Sequence, residues 1–284
     1  MPLSISDGAL EWQRLAVINK HPRDDRIQFE EESHTYTIDG TKEGWTSCTG
    51  FLHHFFGEFD ADAIITKMMN SSKWYESKYY GMTPEQIKKQ WSDKGTEAST
   101  AGTRMHLDIE RFYNAMPSGG SDCSYTFDDG VAGLAVDGWV PNPGAEWNYF
   151  CDFQRDYVER HGFVPFRTEW LVFDEDHKVA GSIDMIYKKP DGTLAIYDWK
   201  RTGELKTENR FQSGLGPVAH LPDSNYWHYT LQLNVYRYIL QKHYGYVVSE
   251  LALVVLHPDN SSWRVSKLNF MDDEVLGMMA TRTG

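Results

Sequence analysis

Alternation of apolar and polar positions is sharpest between Val179 and Lys200. Two runs, Val179 to Lys189 and Thr193 to Lys200, are rich in β-branched and aromatic residues and flank Pro190-Asp191-Gly192. They predict a β-hairpin with a three-residue turn. With Lys189 facing Thr193, the register sets Ile186 against Ile196 and Asp184 against Asp198. Opposed Cβ atoms lie ~5 Å apart, and like charges so placed repel, so a cationic group is expected between the two aspartates. Lys200 points to their side, because side chains alternate along a strand. Ile183, Met185, Tyr187, Ala195, Tyr197 and Trp199 make the other face apolar. One face is suited to packing; the other carries two carboxylates and a lysine, the arrangement expected of a divalent-metal site with a catalytic lysine.

The period changes elsewhere. Residues 1 to 25 are polar, with a short helix expected near Ala9 to Asn19, and Arg26 to Phe29 and Thr35 to Ile38 predict a small sheet. From Ser47 the spacing of Phe51, Leu52, Phe55 and Phe56, then Ile64, Ile65 and Met68, is helical. Thr83-Pro84-Glu85-Gln86 opens a helix to about Trp91, with Thr as cap, Pro at the first position and Gln three residues after the cap. A separate helix is expected from about Thr96 to Tyr113, with His106 and Glu110 on one face. Its Gly102, costly inside a helix, suggests close approach of another backbone. Residues 116 to 146 read as an irregular insertion. Glu146 to His161 is an amphipathic helix with Phe150, Phe153 and Tyr157 on one side.

Val164 to Phe173 is a strand that brings Glu169 near the level of Asp184, giving a three-stranded antiparallel unit with the hairpin. A loop from Arg201 to Pro222 contains Lys206 and Arg210. A helix from Ser224 to Tyr244, stopped by Gly245, follows, with Tyr229, Gln232, Leu233 and Tyr236 on one face. Leu251 to His257 reads as a buried last strand, and Asp272-Asp273-Glu274 as the start of a tail helix.

Charge complicates the picture. Lys and Arg total 28 against 41 Asp and Glu, a net charge of −13, unusual for a protein that grips nucleic acid through broad electrostatics, so any such contact must be made by a local patch. Aromatic residues make up 14% of the chain; they could hold bases or simply fill the core, and core filling is the favoured reading. Cys48, Cys123 and Cys151 are too few for a four-cysteine iron–sulfur cluster, and their spacing fits reduced thiols of an intracellular protein. No signal peptide or membrane-length apolar run is read, so a soluble protein of cytoplasm or nucleus is expected.

The Asp/Glu-x-Lys triplet occurs four times, beginning at Glu76, Asp176, Asp198 and Glu204. Only the one at Asp198 lies on an apolar strand that faces it with a second carboxylate. A plain salt-bridged surface is the competing reading. Against it, Ile186, Ile196 and Leu194 make both faces partly buried, where unpaired carboxylates are costly.

Five short motifs in order carry a resemblance: Gly102-x-x-x-His106, the acid Glu169, Gly181-x-x-Asp184, Asp198-x-Lys200 and Gln232-x-x-x-Tyr236. Together they resemble the PD-(D/E)xK nuclease superfamily, and within it the RecB-like branch, which includes mitochondrial and virus-encoded exonucleases. The resemblance covers roughly residues 95 to 257, more faintly Thr35 to Trp91. It implies an α/β (α+β) fold with a central mixed β-sheet flanked by helices, and Mg²⁺- or Mn²⁺-dependent cleavage of DNA ends or single strands. It also implies metal ligation by His106, Asp184 and Asp198, aided by the Trp199 carbonyl, and a second-metal or supporting role for Glu169. Lys200 would position or help deprotonate water, while Gln232 and Tyr236 would line the cleft and hold DNA. Thr103, Arg104 and Arg201, beside motif residues, are the expected phosphate contacts, with Lys200, Lys206, Arg210 and the two arginines making the site side positive. Residues 1–94 would form an extension packed on a 95–284 core. A homo-oligomer, or a replication or recombination partner, is compatible with this reading.

Overall fold

The computed structural model describes residues 13–115 and 141–282. Helix α1 (Arg14–Ile18) and a 3-10 turn (Pro22–Arg26) precede the hairpin of β1 (Ile27–Glu30) and β2 (Thr35–Ile38). A two-residue strand β3 (Thr46–Ser47) leads into α2 (Cys48–His53) and α3 (Ala61–Met69). Helix α4 (Pro84–Ala115) and α5 (Ala145–Phe153), the latter continued by a π turn (Gln154–Glu159), come next. Strands β4 (Val164–Asp174), β5 (Val179–Lys188) and β6 (Leu194–Lys200) follow, then α6 (Asn225–His243), β7 (Val248–Val255), β8 (Arg264–Lys267) and α7 (Asp272–Ala280). The part of the expected insertion at 116–140, with Cys123, and the start of the helix expected at Ala9 lie outside the described residues.

The main sheet is mixed, as expected. β3 runs parallel to β5, β5 antiparallel to β4 and β6, β6 parallel to β7, and β7 antiparallel to β8. Pairing of Lys188 with Leu194 and Ile186 with Ile196 is the register that the three-residue turn dictates. One edge of β5 carries β4 along its whole length. The other edge is divided: β3 takes Val179 and Ala180, while β6 begins only at Met185. Gly181 to Asp184 lie in the gap, where no backbone ladder occupies that edge.

Both faces are covered. On one, α2, α6 and α7 bury Phe51, Leu231, Leu233, Ile239 and Met278 against Ile186, Ile196 and Leu253. On the other, α4 and α5 bury Ile109, Phe112, Trp147 and Phe150 against Met185, Tyr197, Trp199 and Val254. The carboxylate-bearing face of the hairpin therefore also belongs to a core; only its Asp184–Lys200 end is polar. Each fully buried side chain of this size contributes about 1.5–3 kcal/mol. Asp24 ties the N-terminal segment to β4 through Arg167 at 2.7 Å and Trp170 Nε1 at 2.8 Å.

Helix α4 departs from expectation. The predicted capping box is present, Thr83 and Gln86 exchanging bonds of 2.8 and 3.3 Å. The helix then runs without a break through Gly95 and past the division expected at residue 94. A glycine costs about 1 kcal/mol in a helix but does not forbid it. Packing at both ends, through Ile87 and through Met105 to Tyr113, holds the span, while Ser92 to Thr100 is exposed on every side. Gly102 faces open space rather than another backbone. The strand β8 follows a polar loop and carries only Arg-Val-Ser-Lys, too short a run to read as a strand from alternation.

Asp174, fully buried at the end of β4, fastens the β4–β5 turn to α6. It accepts from the backbone N–H of Asp176, from His177 Nδ1 at 2.6 Å and from His243 Nε2 at 2.9 Å. Burial alone would raise its carboxyl, but the bonds from His243 and His177 outweigh it and hold the group well below the ordinary range. A depressed carboxyl stabilises the fold above its unfolded value near 3.9 and ceases to do so as pH falls through the lower, folded value. Asp174→Asn is expected to lose about 3 kcal/mol in urea unfolding at neutral pH. The difference from the parent protein should shrink below about pH 4; a deficit independent of pH would refute the ionic account.

Candidate active site

The site lies at the gap in the β5 edge. Asp184, one residue before the β5–β6 ladder begins, turns its carboxylate across the gap and accepts the Trp199 N–H at 3.0 Å. A side chain thus replaces a backbone carbonyl as the partner of β6. Gly181 is required here: a Cβ would lie 2.6 Å from the Tyr236 ring, which fills the gap from α6. Tyr236 is only 4% exposed. It supports the strand from beneath and does not line open cleft surface, contrary to expectation.

Glu169 stands between Thr168 and Trp170, which pair with Met185 and Ile183, and so faces Asp184 across the β4–β5 ladder. Its φ of 43° is left-handed, a conformation costing on the order of 1–3 kcal/mol for a residue with a side chain. Ser182 Oγ donates to its Oε2 at 2.8 Å. His106, projecting from α4, completes the group. Its Nδ1 lies 3.5 Å from Asp184 and 3.9 Å from Glu169, while Nε2 bonds the Trp199 carbonyl at 2.9 Å. That carbonyl, the expected further metal donor, holds the ring so that Nδ1 points at the carboxylates.

Ligand atoms of His106, Glu169 and Asp184 all lie within 4.8 Å of one another. Asp198 stands apart from this trio. Its Oδ2 is 2.6 Å from Lys200 Nζ, is buried, and accepts no well-directed hydrogen bond. The compact group therefore contains Glu169 where Asp198 was expected, and Asp198 faces the lysine. A buried carboxylate oxygen paired only with the Lys200 ammonium, next to two further carboxylates and an imidazole, suits a hard divalent cation. His106, Glu169 and Asp184 could hold it, with Asp198 as the adjacent carboxylate.

Electrostatics agree with a site that wants positive charge. Burial would lower His106, but Asp184 and Glu169 outweigh it and raise the imidazole to about 9. Burial, and then Asp184, raise Asp198. Burial and the nearby Glu169 push Glu110, one turn beyond His106, up to about 7. Lys200 would be lowered by burial, yet Asp198 and Asp184 raise it, so it is an ammonium at neutral pH.

Residues that the sequence did not single out for the site also contribute. The Tyr229 ring lies 4.4 Å from Lys200 Nζ, close enough for a cation–π contact. Its place three residues before Gln232, on the same helical face, was the available signal. Gln232, half-buried, reaches Thr49 Oγ1 and the Tyr236 hydroxyl at 3.4 Å each. Thr103 is exposed one turn before His106. Three of the five cations expected to make the site side positive face carboxylates. Arg201 is held by Glu146 at 2.6 Å, Arg104 by Asp108 at 3.0 Å, and Lys200 by Asp198. Lys206 and Arg210 alternate with Glu204 and Glu208 around an open groove of about 730 Å³.

A family model described as the PD-(D/E)XK nuclease superfamily matches residues 71–280. The chain belongs to this superfamily of metal-dependent nucleases, which act on nucleic acid. No curated protein matches it. Among the described residues, no helix is long and apolar enough to cross a membrane.

A cation held by Nδ1 must compete with the proton that His106 carries below about pH 9. The rise in melting temperature on adding Mn²⁺ or Mg²⁺ is therefore expected to grow as pH is raised toward that value. Calorimetry in buffers of different ionisation enthalpy should find proton release, absent in His106→Ala. A metal shift that is flat with pH would remove His106 from the ligand set.

Proposed function

We propose that this chain is a metal-dependent DNA exonuclease of the RecB-like kind, hydrolysing phosphodiester bonds at ends or in single strands to leave 5′-phosphates. The observation that carries the reading is the juxtaposition of the His106–Glu169–Asp184 group with the Lys200 ammonium across the gap between β5 and β6. His106, Asp184, Glu169 and Asp198 supply the donors for a divalent ion. An imidazole among carboxylates suits Mn²⁺ somewhat better than Mg²⁺. When bound, such an ion neutralises charge on a phosphate and acidifies water.

Lys200, kept charged by Asp198, donates hydrogen bonds and does not take up a proton. If Asp198 also served a bound ion, the Lys200 ammonium would be available to face the developing charge on a phosphate oxygen or to orient the attacking water. Tyr229 keeps it at the mouth of the site. Gln232 and Thr103 are placed to touch the substrate backbone, and Tyr236 acts by supporting Gly181. Arg104 and Arg201 serve as phosphate contacts by exchanging Asp108 and Glu146 for phosphate. The order of the five motifs, ending in the glutamine and tyrosine of α6, favours an end-directed enzyme.

End-labelled linear DNA and covalently closed circles, single- and double-stranded, distinguish the outcomes. Linear DNA should be degraded with Mn²⁺ or Mg²⁺, circles spared, and EDTA should stop the reaction. Lys200→Ala should lower the rate on the order of a hundredfold or more. Cutting of circles would instead indicate an endonuclease, and no cleavage with any metal would leave a binding or assembly role.

A further inference from the structure

We infer that exposed aromatic rings running from Phe211 through Phe59 to Tyr80 form a track on which the unpaired bases of a single-stranded nucleic acid stack on their way to the site. The inference rests on the nuclease reading and names the substrate form that the site receives. Phe211 is 83% exposed, Phe59 73% and Tyr80 62%, a high cost in apolar surface unless something covers them.

The outer rings are joined by contact, and the loop of Phe211 lies beside the segment that leads to Phe59, Gln212 Nε2 standing 3.6 Å from where a Cβ on Gly57 would be. Phe59 packs on Trp91 of α4 with centroids 6.0 Å apart, and Trp91 donates to the Tyr79 hydroxyl at 2.8 Å, next to Tyr80. Phe211 reaches across to α3, where Lys67 Nζ lies 4.7 Å from its ring. The loop that carries Phe211 leads back toward the site. The Leu215 N–H, in the loop of Phe211, bonds the Phe55 carbonyl at 2.8 Å, and Phe56 meets His228 at 4.0 Å, beside the Tyr229 that carries Lys200.

Cations beside the rings point to the occupant. In a chain of net charge −13, residues 59 to 94 hold six lysines against five acids; Lys88 and Lys89 pair with Asp62 and Asp93, and Lys67, Lys73, Lys78 and Lys94 stand outside those pairs. Lysines sit on the rings themselves, Lys67 over Phe211 and Lys78 over Tyr79. Rings interleaved with lysines match a strand that offers base faces and phosphates alternately. A duplex hides its base faces and cannot use such a surface.

The test is fluorescence anisotropy of the full chain in EDTA, with labelled oligothymidylate and with a hairpin duplex. Phe211→Ala and Phe59→Ala should each weaken oligothymidylate binding on the order of tenfold, with duplex affinity unchanged and Phe211→Trp restoring the loss. Both side chains are exposed, so melting temperatures should stay those of the parent protein. Equal loss on both ligands, or no loss on either, would overturn the track while leaving the nuclease reading intact. A parent protein that neither binds nor cuts nucleic acid would remove both.

Discussion

Bringing Glu169, Asp184 and Asp198 together out of bulk water costs free energy twice, in lost hydration and in mutual repulsion. The structure meets that cost with fixed partners. Asp184 receives the Trp199 N–H, Glu169 the Ser182 hydroxyl, and Asp198 the Lys200 ammonium. The protonated His106 imidazole supplies the remaining positive charge, anchored at its far nitrogen by the Trp199 carbonyl. Trp199 thus serves the site through both halves of its backbone while its indole packs among Phe150 and Phe153. The rigidity of the aromatic core is in this way transmitted to the carboxylates.

Topology makes this arrangement feasible. A strand edge can bond one neighbour at each position, and β5 divides its edge between β3 and β6. The stretch left over would expose backbone groups, were it not filled by the Asp184 side chain and the Tyr236 ring. Gly181 and Asp184 are therefore two answers to one geometric problem, a ring that needs room and an N–H that needs an acceptor. Their spacing in the sequence is the length of the gap.

The hairpin and its register were legible because turn length fixes pairing and because a one-residue slip would move every side chain to the opposite face. Helix α6 was legible from its periodicity and its stop at Gly245. Other features left no trace in local pattern. Glu169 was read near the level of Asp184, but the left-handed backbone by which it joins the compact group is not something alternation can foresee. The two residues of β3 are too few to show a period. Helix α4 is continuous because tertiary packing at its ends outweighs the weak helix formers Gly95, Thr96, Ser99 and Thr100 between them. Tyr229 could be placed on a helix face, but its contact with Lys200 depends on how that helix crosses the sheet.

The acidic character of the chain acquires a physical meaning from the ion pairs around the site. Arg104, Lys200 and Arg201 each face a carboxylate, so the cleft presents matched charges where a bare basic surface was expected. Salt-sensitive attraction to phosphates is then weak, and affinity must come from contacts that duplex DNA or stray polyanions cannot supply. Base faces on exposed rings would meet that condition, and so would a divalent ion held by His106, Glu169 and Asp184, which would supply positive charge for a phosphate. On the proposed reading, a ligand would have to compete with Asp108, Asp198 and Glu146 for these three cations, so the ion pairs favour a substrate that makes further contacts of its own.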